Sequence, residues 1–192
     1  MSYPLRWSGR VAVGFGVMAF ALALGVAGPH ALLTGSLPTA AAEVKEGDRA
    51  PEPKGGKDAD GKDFTLASLR GGWVVMTFGG SWCKPCKKEL PAWDRLAGKW
   101  AGKVTFVAIN INDQIDDGKR FNKKLRLSYM MLAYMPQEKS GVAPSYGSDH
   151  MPSTFVADPQ GVVRFVHEGF EKNDVDNEYK KMKASLEKLL AK

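Results

Sequence analysis

The sequence predicts an α/β domain with a mixed central sheet flanked by helices, and three observations predict it. Two unbroken apolar runs, Trp73–Phe78 and Val104–Ile111, bracket a stretch with helical apolar spacing. Two further β-rich runs, Ser153–Ala157 and Val162–Val166, flank the tetrapeptide Asp158-Pro159-Gln160-Gly161. The C-terminal segment carries a helical apolar stripe. Strands buried on both faces read as continuous apolar runs. Strand, helix and strand at this spacing form a βαβ unit, whose strands are parallel. A turn with proline at its second position joins an antiparallel hairpin. Parallel and antiparallel pairs together make the sheet mixed.

The elements follow in order. Asp58-Ala59-Asp60-Gly61-Lys62 is a turn signal between two short segments, which predicts an added N-terminal hairpin. Leu66–Leu69 reads as one helical turn stopped by Gly71 and Gly72. The first long helix is expected from about Cys83 to Ala101, with Leu90, Trp93, Leu96, Ala97 and Trp100 inward and a kink at Pro91. Asp116–Leu127 reads as a basic amphipathic helix with Phe121 and Leu125 on its inner face. Tyr129–Ala133 is a short strand, and Pro136–Met151 is loop-like. The last helix starts near Asn173 or Asp174, with Val175, Tyr179, Met182, Leu186 and Leu189 inward.

The N-terminus has a separate character. Arg6 and Arg10 precede an uncharged run, Val11–Ala27, broken by Gly28-Pro29-His30. A basic start before an apolar run is an export signal. Its 17 residues lie between a usual cleaved segment and a membrane span. Thr39-Ala40-Ala41-Ala42 offers small residues for cleavage before Glu43. Two outcomes stay open, a cleaved signal peptide and a retained anchor. Either divides the chain into an export segment, 1–42, and a domain, 43–192. Either also places the domain outside the cytoplasm, periplasmic or held at the inner membrane.

Composition excludes several classes. The formal charge of +6 includes +2 from Arg6 and Arg10, with no acid in residues 1–42, which leaves +4 for residues 43–192. These charges alternate with acids and form no dense basic block, so nucleic-acid binding is not expected. The only two cysteines, Cys83 and Cys86, close too short a loop to staple a fold. They are too few for a structural zinc site, and His30, His150 and His167 stand at no ligand spacing from them. No metal and no cofactor is expected. A thiol pair between an apolar strand and a helix points to redox exchange.

These motifs together resemble a known family. Gly47-Asp48-x-Ala50-Pro51, Leu66-x-x-Leu69-Arg70-Gly71, Trp82-Cys83-x-Pro85-Cys86-Lys87-x-Glu89-x-Pro91 and Met151-Pro152-Ser153-Thr154-Phe155 resemble the TlpA/ResA group of thioredoxin-like thiol–disulfide oxidoreductases. The resemblance spans about residues 44–192. It implies a thioredoxin-like fold and reduction of disulfides in client proteins, apocytochrome c among them. It also implies electrons from a membrane thiol carrier. Two places depart from the family pattern. Gly79 stands where an aromatic residue is usual, and Ser148-Asp149-His150 replaces a commoner Gly-Val ending.

Roles follow for the site. Cys83, expected at the helix N-cap or first position, is the attacking thiol, because unpaired N–H groups there favour an anion. Cys86, one turn inward, resolves the mixed disulfide. Resemblance makes Pro152 a cis-proline facing the pair, with the Met151 backbone free to receive a client strand. It also makes Glu89 a proton relay, since Thr77 occupies the place where thioredoxins bury an aspartate. Trp82 is expected to wall the pair and touch substrate. Two rival functions have sequence features to weigh. A copper-binding chaperone or sensor would draw on His150, but its spacing from the thiols is wrong. A thiol peroxidase would want threonine where Gly80 stands.

Overall fold

A computed structural model describes residues 43–137, 145–146 and 150–191. The expected export segment, 1–42, lies outside the described residues. So do Ser148 and Asp149.

The described residues form a seven-stranded sheet with three α-helices. Strands β1 (Gly56–Asp58) and β2 (Asp63–Phe64) pair antiparallel about the Asp58–Lys62 turn. A 3-10 turn, Leu66–Leu69, follows, with Thr65 as its cap and Gly71 at φ 93°. Then come β3 (Trp73–Gly79), α1 (Cys86–Lys99) and β4 (Val104–Asn110). Helix α2 (Ile115–Leu125) leads to β5 (Met131–Tyr134). Strands β6 (Ser153–Ala157) and β7 (Val163–Glu168) precede α3 (Val175–Leu190). The sheet order is β2-β1-β5-β4-β3-β6-β7. Strands β3, β4 and β5 are parallel, and β6 runs antiparallel to both β3 and β7. This is the mixed sheet that the βαβ and hairpin signals predict.

Several boundaries move. Helix α1 opens at Cys86 and not at Cys83, because residues 80–83 form a turn in which Cys83 N–H donates to Gly80 O at 3.0 Å. It continues through Pro91 to Lys99, and the proline's missing N–H falls opposite the exposed Lys87. Helix α2 ends at Leu125 because Arg126 turns left-handed, at φ 55°. Helix α3 takes Asp174 as its cap, the carboxylate accepting from Asn177 N–H.

Strand alternation gives the sheet two packed faces. Val74, Met76 and Phe78 of β3 join a core with Ile109, Tyr146 and Phe155. Val75 points the other way, into a core with Leu90, Trp93, Leu96, Phe106, Met182 and Leu186. The second face therefore lies under α1 and α3. Period-2 geometry puts Thr77 and Gly79 on that same face. Register extends the row: Thr77 pairs with Thr154, and Thr154 with His167. The site is built on this row.

Candidate active site

Cys83 and Cys86 meet at the end of β3. They are joined as a disulfide, with Cα atoms 5.3 Å apart. Cys83 Sγ also accepts the Cys86 backbone N–H at 3.2 Å. That N–H is one of the orphan donors of a helix start, so the outer sulfur faces an anion-favouring group. Both residues are buried, Cys83 at 3% exposure and Cys86 at 0%. The difference runs in the expected direction and is small.

Gly79 explains how the inner sulfur fits. A β-carbon at this position would stand 2.6 Å from Cys86 Sγ. A larger residue here would have to displace the inner sulfur. Gly80 serves Trp82 in the same way, since its missing β-carbon would meet the indole Nε1 at 2.7 Å. Trp82 thus folds over Gly80 and stays 56% exposed. Its wall is on the outer surface of the turn.

The turn is held from below by a residue the sequence reading missed. Asn112 Oδ1 accepts Ser81 N–H at 2.9 Å, and Asn112 Nδ2 donates to Ser81 Oγ at 2.8 Å. Asn112 N–H in turn donates to Asn110 Oδ1 at 3.0 Å. One side chain beyond β4 thereby fixes the residue before Trp82 and Cys83. An Asn-x-Asn pair just after a buried strand was the available signal.

Glu89 lies one turn after Cys86 and is fully buried. Thr154 Oγ1 donates to its Oε1 at 3.1 Å. Thr154 also receives the Trp93 indole N–H at 3.3 Å and lies 2.9 Å from Thr77 Oγ1. A hydroxyl has one donor hydrogen. Thr154 spends it on Glu89, so Thr77 is the donor in the second contact. Glu89 Oε2 has no hydrogen-bond partner among the described residues. Burial pushes the Glu89 carboxyl up to about 8, and the Thr154 and Trp93 donors only partly oppose it. A group that exchanges its proton near neutral pH therefore stands one helical turn after Cys86.

The row ends in a second buried acid. His167 Nε2 lies 3.2 Å from Glu178 Oε2, and Lys181 Nζ donates to Glu178 Oε1 at 2.8 Å. Burial pulls His167 below its ordinary value against the pull of Glu178, so the imidazole is mostly neutral at pH 7. The negative charge of Glu178 adds a small upward push to Glu89.

The Met151–Pro152 peptide bond is cis. Pro152 is buried, and its carbonyl accepts Gly169 N–H at 2.8 Å. Met151 is half-buried against the core that contains both cysteines. The fold therefore brings Cys83, Cys86, Glu89, Met151 and Pro152 to one end of the sheet. His150, the residue weighed for metal, is exposed, and its carbonyl accepts from Ser153 Oγ.

A thioredoxin-like sheet with a Cys-x-x-Cys disulfide where β3 meets α1 defines a thiol–disulfide oxidoreductase. Residues 47–166 match the AhpC/TSA family, and the chain belongs to it. Thioredoxin-like protein YneN of Bacillus subtilis is 30% identical over 129 residues, covering 66% of this chain and 73% of that protein. Thiol-disulfide oxidoreductase ResA of Geobacillus thermodenitrificans is 27% identical over 128 residues, covering 66% and 72%. Among solved structures, a protein assigned as thiol:disulfide interchange protein DsbE, from Chlorobium tepidum, superposes with a TM-score of 0.64. It is 26% identical and covers 75% of this chain and 99% of that one.

Proposed function

We propose that the protein is an extracytoplasmic reductase of disulfides in partner proteins. The observation that carries this reading is the asymmetry of the two sulfurs. Cys83 Sγ receives a helix-start N–H, whereas Cys86 is sealed against Gly79 and followed by Glu89.

The chemistry follows from that asymmetry. The Cys83 thiolate attacks a client disulfide, forming a mixed disulfide and expelling one client sulfur, which takes a proton from water. The Cys86 thiol gives its proton to Glu89 in the fraction of molecules where that carboxyl is ionised, and attacks Cys83 Sγ; the departing client sulfur takes a proton from water. The Cys83–Cys86 disulfide forms, and the second client sulfur leaves. Two electrons have passed to the client. A membrane thiol carrier would return them. Attack is fastest when the attacking thiol's pKa lies near the ambient pH, and resolution is helped by a base at hand.

Client docking falls to Trp82, Met151 and Pro152, with the client backbone laid along Met151 as a short added strand. Residues 1–42 supply export, as a cleaved signal or an anchor, and residues 43–192 form the working domain. The motif resemblance adds apocytochrome c as a client to test. Dithiothreitol-cycled protein should reduce insulin, and Cys83→Ser should abolish that reduction. Undiminished activity in the variant would sink the assignment.

A further inference from the structure

We propose that a basic groove between α1 and α2 docks an acidic segment of the client next to the disulfide being reduced. The proposal rests on the reductase reading and names the kind of client that the site prefers. The groove encloses about 550 Å³, and its lining includes Lys87, Lys88, Arg95 and Arg126. All four are exposed, and among the described residues none is in an ion pair. The one acid in the lining, Asp94, is turned inward and accepts N–H groups from Ser128, Tyr129 and Met130. Asp174 and Asp176 flank Val175 at the rim, and Asp174 is occupied in capping α3.

Two features set this groove apart from an ordinary solvated face. The first is charge placement. Helix N-termini favour acids. Helices α2 and α3 obey, with Asp116 and Asp117, and Asp176 and Glu178, in their first turns. Helix α1 instead opens with Lys87 and Lys88, and its only first-turn acid is the buried Glu89. Cations at the positive end of a helix oppose its dipole, so they add to the potential beside Cys86. The second is Arg126, the one non-glycine residue with positive φ among the described residues, at 55°. Glycine takes that conformation without strain. An arginine there places a guanidinium at the groove's far wall at a conformational cost. Local rules broken together on one surface point to binding.

The dimensions suit an extended peptide. Lys87 to Arg95 spans eight residue steps of α1, about 12 Å of helix. An extended strand covers that distance in about four residues. A concave basic channel beginning one residue from Cys86 would steer such a segment and hold its cystine against Cys83.

The test uses the full chain and two disulfide-bonded peptides, identical except for a flank of about four glutamates or four lysines. Binding is read by fluorescence anisotropy. The glutamate peptide should bind about tenfold more tightly at low salt, and the gap should close near 1 M salt. Arg95→Glu with Arg126→Glu should reverse the order, and Arg95→Gln with Arg126→Gln should level it. Equal affinities in the wild type, or a preference that survives both variants, would overturn the proposal. So would phosphatidylglycerol vesicles outcompeting the glutamate peptide through the same arginines. Turnover of a small neutral disulfide by the wild type reports the thiol chemistry separately. Its absence with the peptide preference intact counts against the reductase reading and for the groove. Its presence without the preference does the reverse.

Discussion

Helix α1 buries two carboxyl groups, Glu89 and Asp94, in different company. Asp94 accepts the backbone N–H groups of Ser128, Tyr129 and Met130, at 2.8 to 3.0 Å. It ties the chain after α2 to the middle of α1. Glu89 receives one threonine hydroxyl and leaves an oxygen unpartnered among the described residues. A carboxylate ringed by donors is a structural clamp. A buried carboxyl group with one weak donor holds its proton. The same helix thus gives one acid a ring of donors and leaves the other nearly unpartnered, through its neighbours and not through residue type.

Glu89→Gln should break this contrast most visibly. The folded protein keeps the Glu89 proton up to about 8, while the unfolded chain releases it near the ordinary glutamate value of 4.5. Between those values the folded state binds more protons, so wild-type stability falls as pH rises. The loss is complete above about pH 8 and is on the order of 4 kcal/mol. Glutamine removes the titration, so the variant should be more stable than wild type at pH 8 and nearly equal at pH 4.5. Denaturant titrations at the two pH values check this, and parallel pH curves would refute it. Resolution of the mixed disulfide should slow about a hundredfold in the same variant.

Asp94→Ala should show the opposite profile. Three N–H groups lose a charged acceptor, at a cost of about 3 kcal/mol. The pH dependence of disulfide exchange should stay that of wild type. A changed exchange profile would mean that the two acids are coupled, and the division of labour along α1 would fail.

Much of this contrast was legible in the sequence, and the remainder was not, for a physical reason. The Cys-x-x-Cys pair, the βαβ unit and the Asp158–Gly161 hairpin are local signals, written in adjacent residues. The position of Glu89 three residues after Cys86 could be read as one helical face. Its burial could not, because its partner Thr154 lies 65 residues away and meets it only through the β3–β6 pairing. Trp93 reads correctly as a core residue, but its indole bond to Thr154 is equally non-local. The helix start was misplaced by three residues because thiol, lysine and proline at 83–85 fit either a cap or a turn. Gly79 departs from the family pattern in the sequence itself. Its purpose, space for Cys86 Sγ, depends on a contact between residues seven apart across the turn.

Asn112 sharpens the comparison because it combines both behaviours. Like Asp94, it clamps a backbone segment through its side chain; like Glu89, it does so at the reacting pair. Asn112→Ala removes two neutral hydrogen bonds at a partly buried site, so stability should fall by about 1 kcal/mol. A purely structural role would end there. If the clamp positions Trp82 and Cys83, the variant should also lose about tenfold in kcat/KM for a peptide disulfide, because small misplacements at a reacting centre are costly. Asn112→Asp keeps acceptors for Ser81 N–H and Oγ–H, so it should recover most of the lost stability. The added carboxylate beside the turn should raise the Cys83 thiol pKa, read from the pH profile of alkylation of the reduced protein. Normal kinetics in Asn112→Ala, with only the stability loss, would class Asn112 with Asp94 and leave Glu89 alone as the chemical acid of the helix.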